Sequence, residues 1–568
     1  MQITGKGTET NTYDAIVVGS GISGGWAAKE LGERGLKTLV LERGRDVKHG
    51  QYPTATLDTW DMKGRGRLSE EELARKQKQN RTGYTTKRAS AHWFVDDIDH
   101  PYNEDKRFDW MRGYHVGGRS LMWGRQSYRL SDLDFEANLK DGIATDWPIR
   151  YKQIAPWYDY VETFAGISGQ AEGLPQLPDG KFLPPMEMSC LETHVKQRIE
   201  KNFDDRIMTI GRTANLTQAH NGRGKCQYRN RCIRGCPYGA YFSSNASTLP
   251  AAFATGNVTL RPFSIVHQVI YDKKSGKATG VRVIDTETNE HMEFYARVIF
   301  LCASAIASTF ILMNSKSDRF PDGMGNESGQ LGHNVMDHHF RVGAAGIYED
   351  MDDKYYSGRR ANGIYIPRFR NVNKATKHKD FIRGYGYQGR GSRTSWSRGV
   401  QELAKFGLDM KTELFEPGPW RFGITAFGEA LPDHDNYMYL DYDKINKWGL
   451  PTVTFHAEFK ENEMKMREDM KLQAAEMLET AGLTKVATYD NIGAPGLGIH
   501  EMGTARMGTS PKNSVLNNWN QVHGCGNVFV TDGACMTSAS CVNPSLTYMA
   551  LTARAANYAV DEINKKNL

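Results

Sequence analysis

The chain has 568 residues, a net charge of +6, and 39% hydrophobic, 24% charged and 11% aromatic residues, a globular composition long enough for two domains or one elaborated domain. So weak a charge, with no polybasic cluster, excludes a nucleic-acid footprint. Eight cysteines are too sparse for a disulfide scaffold, and no apolar run reaches the roughly 18 residues of a membrane span.

The N-terminus, MQITGKGTETNTYD, is polar and leaves no room for a signal peptide, so by its own sequence the chain is expected in the cytoplasm. Tyr13 to Val18 is predicted to be a short buried strand. It runs into Gly19-Ser-Gly21-Ile-Ser23-Gly24, then into a helical pattern and a second strand, Lys37 to Leu41, which ends at Glu42 and Arg43. This is the strand–GxGxxG–helix–strand–acid arrangement of a dinucleotide site. Gly19 permits the tight turn, Gly21 lets the backbone approach a pyrophosphate, and Gly24 lets the helix pack on the strand. The helix N-terminus offers N–H groups and positive dipole to the phosphates. A carboxylate at position 42 suits free ribose hydroxyls and disfavours NADP, which leaves FAD or NAD.

Cys226, Cys232 and Cys236, the last followed by proline, lie within eleven residues of a basic loop. The spacing lacks the CxxC of a zinc site and suits an iron–sulfur cluster better, with free or disulfide-linked thiols as the plain alternative. Val298 to Met313 reads as a buried strand entering a helix. His333, His338 and His339 in GHNVMDHHF meet no metal-ligand pattern. Alternating strands are expected at Ala361 to Phe369 and Tyr437 to Asp443, and an exposed helix at Lys460 to Thr480. Tyr355, Tyr356, Trp396 and Trp420 are candidates for stacking on a sugar ring, with core packing as the plainer role. Near the C-terminus, Asn527 to Val530 is a predicted strand. Asp532-Gly533 at its end places a carboxylate and close backbone near a sugar or ribityl chain. A helix follows from about Pro544, for which Asn543 is a candidate N-cap.

Four separated segments together resemble the glucose-methanol-choline (GMC) oxidoreductase family: VVGSGISG with Glu42, RGYHVGGRSLMWGR, HEMGTARMG and NVFVTDGACMTSASCVNPSLTYMALTARAA. The resemblance is greatest to flavoprotein subunits of bacterial sugar dehydrogenases acting on glucosides, glucose or gluconate. It implies an α/β fold, in which a Rossmann-like FAD-binding domain (1–125, 205–330 and 490–568, with an iron–sulfur loop at 224–240) adjoins an α+β substrate domain on an antiparallel sheet (126–204 and 331–489). It implies FAD, held by Gly117, Gly118, Ser120, Val266, Asp532 and Gly533 as well as by the fingerprint. Some relatives carry a histidine bonded to the flavin where this chain has Met122, so the FAD is expected to be non-covalent. His500 matches the family's active-site base, and Asn543 its partner position. The family also implies a 3Fe-4S cluster on the three cysteines, a small subunit bearing an export signal that would carry the chain to the periplasm, and a cytochrome c acceptor. The expected activity is oxidation of a sugar hydroxyl, first the 3-hydroxyl of glucosides, with glucose 1-oxidation, gluconate 2-oxidation or an oxygen-using pyranose oxidase as alternatives.

Overall fold

The computed structural model describes residues 11–355, 360–394, 406–415 and 417–568. Tyr356 and Trp396 lie outside the described residues. The strands, in chain order, are β1 (Thr12–Val18), β2 (Thr38–Leu41), β3 (Asn103–Glu104), β4 (Thr209–Ile210), β5 (Val258–Arg261), β6 (Ser264–Asp272), β7 (Lys277–Asp285), β8 (His291–Leu301), β9 (His339–Tyr348), β10 (Ile364–Ile366), β11 (Tyr385–Arg393), β12 (Trp420–Gly428), β13 (Tyr437–Ile445), β14 (Pro451–His456), β15 (Thr484–Asp490), β16 (Gln521–Val522) and β17 (Cys525–Val530).

The first sheet has the order β16-β17-β8-β1-β2-β5, and β6 and β7 branch from β8 as an antiparallel hairpin. Its centre is parallel: β17 on β8, β8 on β1, β1 on β2 and β2 on β5. All four side chains of β2, TLVL, are buried, the continuous apolar run expected of a strand covered on both faces. One face is closed by the Ile22–Glu33 and Ser545–Asn564 helices, whose Ala27, Ala28, Leu31, Ala555, Ala556 and Ala559 share a core with Val17, Val40 and Phe529. Small alanines let the helix backbones lie close to the sheet and to each other. The segment 298–313 resolves into the end of β8 and the Ala305–Asn314 helix, a strand entering a helix.

The second sheet is antiparallel, β15-β9-β12-β11-β10-β4, and a third of three strands has the order β13-β14-β3. The fold is therefore mixed α/β, with a Rossmann-like parallel sheet and a separate antiparallel one. Two expectations need correction. The Glu461–Thr480 helix is not merely exposed: Met466, Met470, Ala474, Met477 and Leu478 are fully buried in the core beneath the antiparallel sheet. Their spacing of three and four residues is that of an amphipathic stripe, and each buried large side chain contributes about 1.5–3 kcal/mol. The methionines were outweighed in the sequence by the lysines and glutamates of the opposite face. Of the strand expected at 361–369, only Ile364–Ile366 forms ladder pairs, with β11 and β4. Trp420 is 1% exposed, and its indole N–H donates to the Met351 carbonyl, so it is a core residue.

The carboxyl ends of β1, β2, β8 and β17 point the same way. The segments that follow them, Gly19–Ser23, Glu42–Arg43, Cys302–Ala305 and Asp532–Gly533, border one cavity, at the edge where open parallel sheets bind ligands.

Candidate active site

That cavity measures ≈ 720 Å³. At its nucleotide end, Gly19 has φ +94°, and a Cβ there would lie 2.5 Å from the Cys302 carbonyl oxygen. At Gly24 a Cβ would lie 1.9 Å from the Gly19 carbonyl oxygen, so only glycine lets helix and strand meet. A Cβ on Gly21 would meet nothing within 4 Å: here the loop faces open space. Gly21 is the helix N-cap, no side chain caps it, and the first turn carries no acid, so the N–H groups and the dipole are left for an anion. Glu42 is buried, which raises its pKa. It accepts from Ser20 N at 3.1 Å, Ser20 Oγ at 2.5 Å and Gly44 N at 2.9 Å, and so also holds the turn. Ser23 lines the cavity, its hydroxyl 3.3 Å from the Thr531 carbonyl.

The 117–122 segment crosses this loop. Gly117, at φ +86°, donates its N–H to Ser20 Oγ at 3.0 Å, and a Cβ on Gly118 would sit 3.5 Å from Gly21 Cα. Ser120 is engaged within the protein, donating to Gly117 O at 2.5 Å and accepting from Ser244 N at 3.1 Å. Met122 and Val266 are on the cavity wall. Asp532 accepts from Ser308 Oγ at 2.5 Å and Ala534 N at 3.0 Å, and burial pushes its pKa up to about 6.

The residues fit FAD. The arginine groups Arg43 Nε, Arg112 Nε and Arg112 Nη2, and the Tyr548 hydroxyl, are buried without a hydrogen-bond partner among the described residues, and all three residues border the cavity. Buried polar groups are normally satisfied, so these atoms suit a bound molecule with phosphate and polar ring atoms. FAD, when bound, supplies the acceptor for a hydride.

His500 and Asn543 border the same cavity. The loop carrying His500 is held by Asp337, whose carboxylate accepts from the backbone N–H groups of Gly496 (2.7 Å), Gly498 (2.8 Å), His338 (2.8 Å) and His500 (3.1 Å). Burial and the nearby Glu501 push Asp337 up to about 7, against the pull of these donors. Glu501, next in the chain to His500, is clasped by Arg119 at 3.0 and 2.8 Å. That bidentate pair, with Glu501 buried and Arg119 partly so, ties the His500 loop to the 117–122 segment. His500 Nδ1 lies 2.7 Å from His338 Nδ1, and His338 Nε2 lies 2.8 Å from the Ser540 carbonyl oxygen. Burial, then His338 and Arg119, hold the His500 pKa well below its usual value. The imidazole is neutral, as a proton acceptor must be. Asn543 is not the helix cap: that position is Pro544, with no side-chain cap bond. Its Oδ1 accepts from Gln388 Nε2 at 2.7 Å, and its Nδ2 faces His500 Nε2 at 3.4 Å.

Cys226, Cys232 and Cys236 are free, half-buried, and border the same cavity. Burial, and to a lesser degree the neighbouring thiols, raise the pKa of Cys226 and Cys236. Among the described residues no three His, Cys, Asp or Glu side chains are placed to hold a single metal ion. His333 stacks on His434 at the surface, whereas His338 turns inward to His500. Sequence reasoning missed Arg119, Asp337, His338, Gln388, Glu501 and Tyr548. The histidine cluster at 333–339 was a usable signal, but once a metal site was set aside its residue types alone gave His338 no role. Gln388, in mid-strand, carried none.

The GMC oxidoreductase family profile matches residues 13–340 and 432–552 of the chain. The 2-methyl-1,2-propanediol dehydrogenase of Mycolicibacterium austroafricanum is 27% identical, over 97% of this chain and 96% of that protein. The fructose dehydrogenase large subunit of Gluconobacter japonicus is 23% identical, over 98% and 99%. Among solved structures, pyridoxine 4-oxidase from Mesorbium loti superposes with a TM-score of 0.58 at 14% identity, covering 96% of this chain and 99% of that one, which shows a shared fold. Among the described residues no helix is long and apolar enough to cross a membrane. With both family segments matched and together spanning most of its length, the chain belongs to the GMC oxidoreductase family.

Proposed function

We propose that this protein is a dehydrogenase that oxidises a secondary hydroxyl of a sugar, first the 3-hydroxyl of glucosides or glucose. The observation that carries the reading is the pairing of a neutral His500 with the Asn543 amide on the wall of the cavity that the glycine loop also lines. His500 Nε2 takes the hydroxyl proton, while Asn543 Nδ2 donates to the substrate oxygen and holds it as charge develops. Asparagine has no proton-accepting nitrogen at neutral pH, so the base role falls to His500. FAD, held without a covalent link in the cavity that Met122 lines, would supply the hydride acceptor. A sugar as substrate is supported by the likeness to the fructose dehydrogenase large subunit.

The three cysteines supply the second half of the reading: an iron–sulfur cluster, of 3Fe-4S type, passing electrons outward to a cytochrome c. A cluster of several irons spreads its thiolates more widely than one ion does, and Arg229, Arg231 and Arg234 on the same loop offset its negative charge. A small subunit with an export signal would take the folded chain to the periplasm. The division into an FAD part and a substrate part, at the boundaries expected from the sequence, belongs to the same proposal.

Anaerobic titration of the holoprotein with glucose, methyl glucoside, trehalose and gluconate, followed by product analysis, tests the substrate. A 3-keto product is expected. Sugar-dependent peroxide in air would point instead to an oxidase. His500→Ala should keep its yellow FAD and lose sugar-driven bleaching by about 10²-fold or more; normal turnover by that variant would overturn the base assignment.

A further inference from the structure

Four side chains and one carbonyl form a single hydrogen-bonded chain through the active site. Gln388 Nε2 meets Asn543 Oδ1 at 2.7 Å, Asn543 Nδ2 meets His500 Nε2 at 3.4 Å, His500 Nδ1 meets His338 Nδ1 at 2.7 Å, and His338 Nε2 meets the Ser540 carbonyl at 2.8 Å. A ring nitrogen can donate or accept, but a carbonyl oxygen can only accept. The Ser540 carbonyl therefore requires a proton on His338 Nε2. A neutral His338 then has only a lone pair at Nδ1, and the contact with His500 requires the His500 proton to sit on Nδ1. That leaves Nε2 of His500 with its lone pair facing the cavity. Direction passes from one backbone oxygen to the reacting nitrogen.

From this geometry we infer that His338 is a positioning residue that sets the tautomer of His500 and shares the proton it gains. The inference rests on the proposed role of His500 as base. Both rings are neutral before reaction, since burial lowers His338 to about 4 and His500 well below its usual value. The groups around the pair do not supply the carboxylate that orients the imidazole in many hydrolytic sites. Asp337 spends both oxygens on backbone N–H groups, including those of His338 and His500, and Glu501 is paired with Arg119. When the substrate O–H bond breaks and an N–H bond forms at His500 Nε2, the new positive charge is held across the two rings. The Nδ1 proton of His500 lies between two nitrogens 2.7 Å apart. It can pass to His338 Nδ1, because the proton His338 already carries stays on Nε2, donated to the Ser540 carbonyl. The count balances: one proton leaves the substrate and one is gained by the pair.

Two substitutions separate this role from packing. In His338→Asn the side-chain oxygen can still accept from His500 Nδ1, whereas His338→Leu fills the space and accepts nothing. With methyl glucoside as reductant, the holoprotein should reduce its flavin within about 10-fold of the parent rate in His338→Asn and at least about 10²-fold slower in His338→Leu, with FAD content and substrate KM little changed. Equal rates for the two variants would make His338 a packing residue and overturn the proposal. A readout independent of turnover is ¹⁵N-histidine NMR of the holoprotein. The resonances lost in His500→Ala should report a neutral ring protonated on Nδ1 in the parent, and should move in His338→Leu. An Nε2-protonated ring in the parent would also overturn it. If His500→Ala turned over normally while the Nδ1–H tautomer was seen, the functional reading would fail and the histidine pairing would stand.

Discussion

A histidine that must accept a proton works best when it cannot already hold one. His500 meets that condition chiefly through burial, to which the positive charge of Arg119 adds. The sign of the consequence is definite. A lowered pKa keeps the neutral, reactive form down to more acid pH. The acid limb of the anaerobic flavin-reduction profile should therefore fall below the ordinary histidine value of 6.5, with a plateau through neutrality. A limb at or above that value would show that the residue being titrated is not this imidazole. Asn543 is oriented with equal care: Gln388 holds its oxygen, so the amide N–H₂ is the group presented to the cavity. The residue types at both positions were legible in HEMGTARMG and VNPSLT, but the orienting partners come from β11 and from the entry to β9.

At the scale of elements, the turn after β1 shows why three glycines with the same label do different work. Gly24 has no room for a Cβ and Gly21 has ample room. Gly24→Val should force the Ile22–Glu33 helix off its strand, lowering stability by several kcal/mol and releasing FAD. Gly21→Ala should leave the melting temperature of FAD-stripped protein nearly unchanged and weaken FAD binding, because its Cβ would occupy the ligand's side of the loop. Thermal melts with and without FAD, together with the flavin-to-protein absorbance ratio, distinguish the two. The strands beside this turn were readable because parallel strands buried on both faces are unbroken apolar runs. The Glu461–Thr480 helix was misjudged because its buried stripe of methionines is diluted by charged residues facing solvent.

At the scale of the whole molecule, the site is assembled from distant parts of the chain. Arg119 reaches Glu501 across 382 positions, and Gln388, on the antiparallel sheet, reaches Asn543 beside the terminal helix. The glycine loop, His500 and the 226–236 loop all border one cavity. The proposed outward electron path makes a prediction at this scale. Cys232→Ser should leave sugar-driven flavin reduction within about 2-fold of the parent and depress electron delivery to cytochrome c by about 10-fold or more, as expected when a link beyond the chemical step is lost. Iron analysis of anaerobically purified parent protein should find it loaded; protein without iron would remove the cluster from the account.

Local sequence was enough to mark the glycine turn and the proposed base with its amide partner, since each rests on residues close along the chain: a glycine's missing Cβ, an acid at a strand end, a histidine in a short motif. Order along the chain was enough to recognise the family and its fold. Tertiary structure alone decided which histidine of GHNVMDHHF turns inward, that Asp337 fastens the base loop, and that Gln388 aims Asn543. The reason is physical. Hydrogen-bond direction and tautomer are set by partners more than 100 residues away, and no local pattern of residue types records which side chains the packed core will bring within 3 Å.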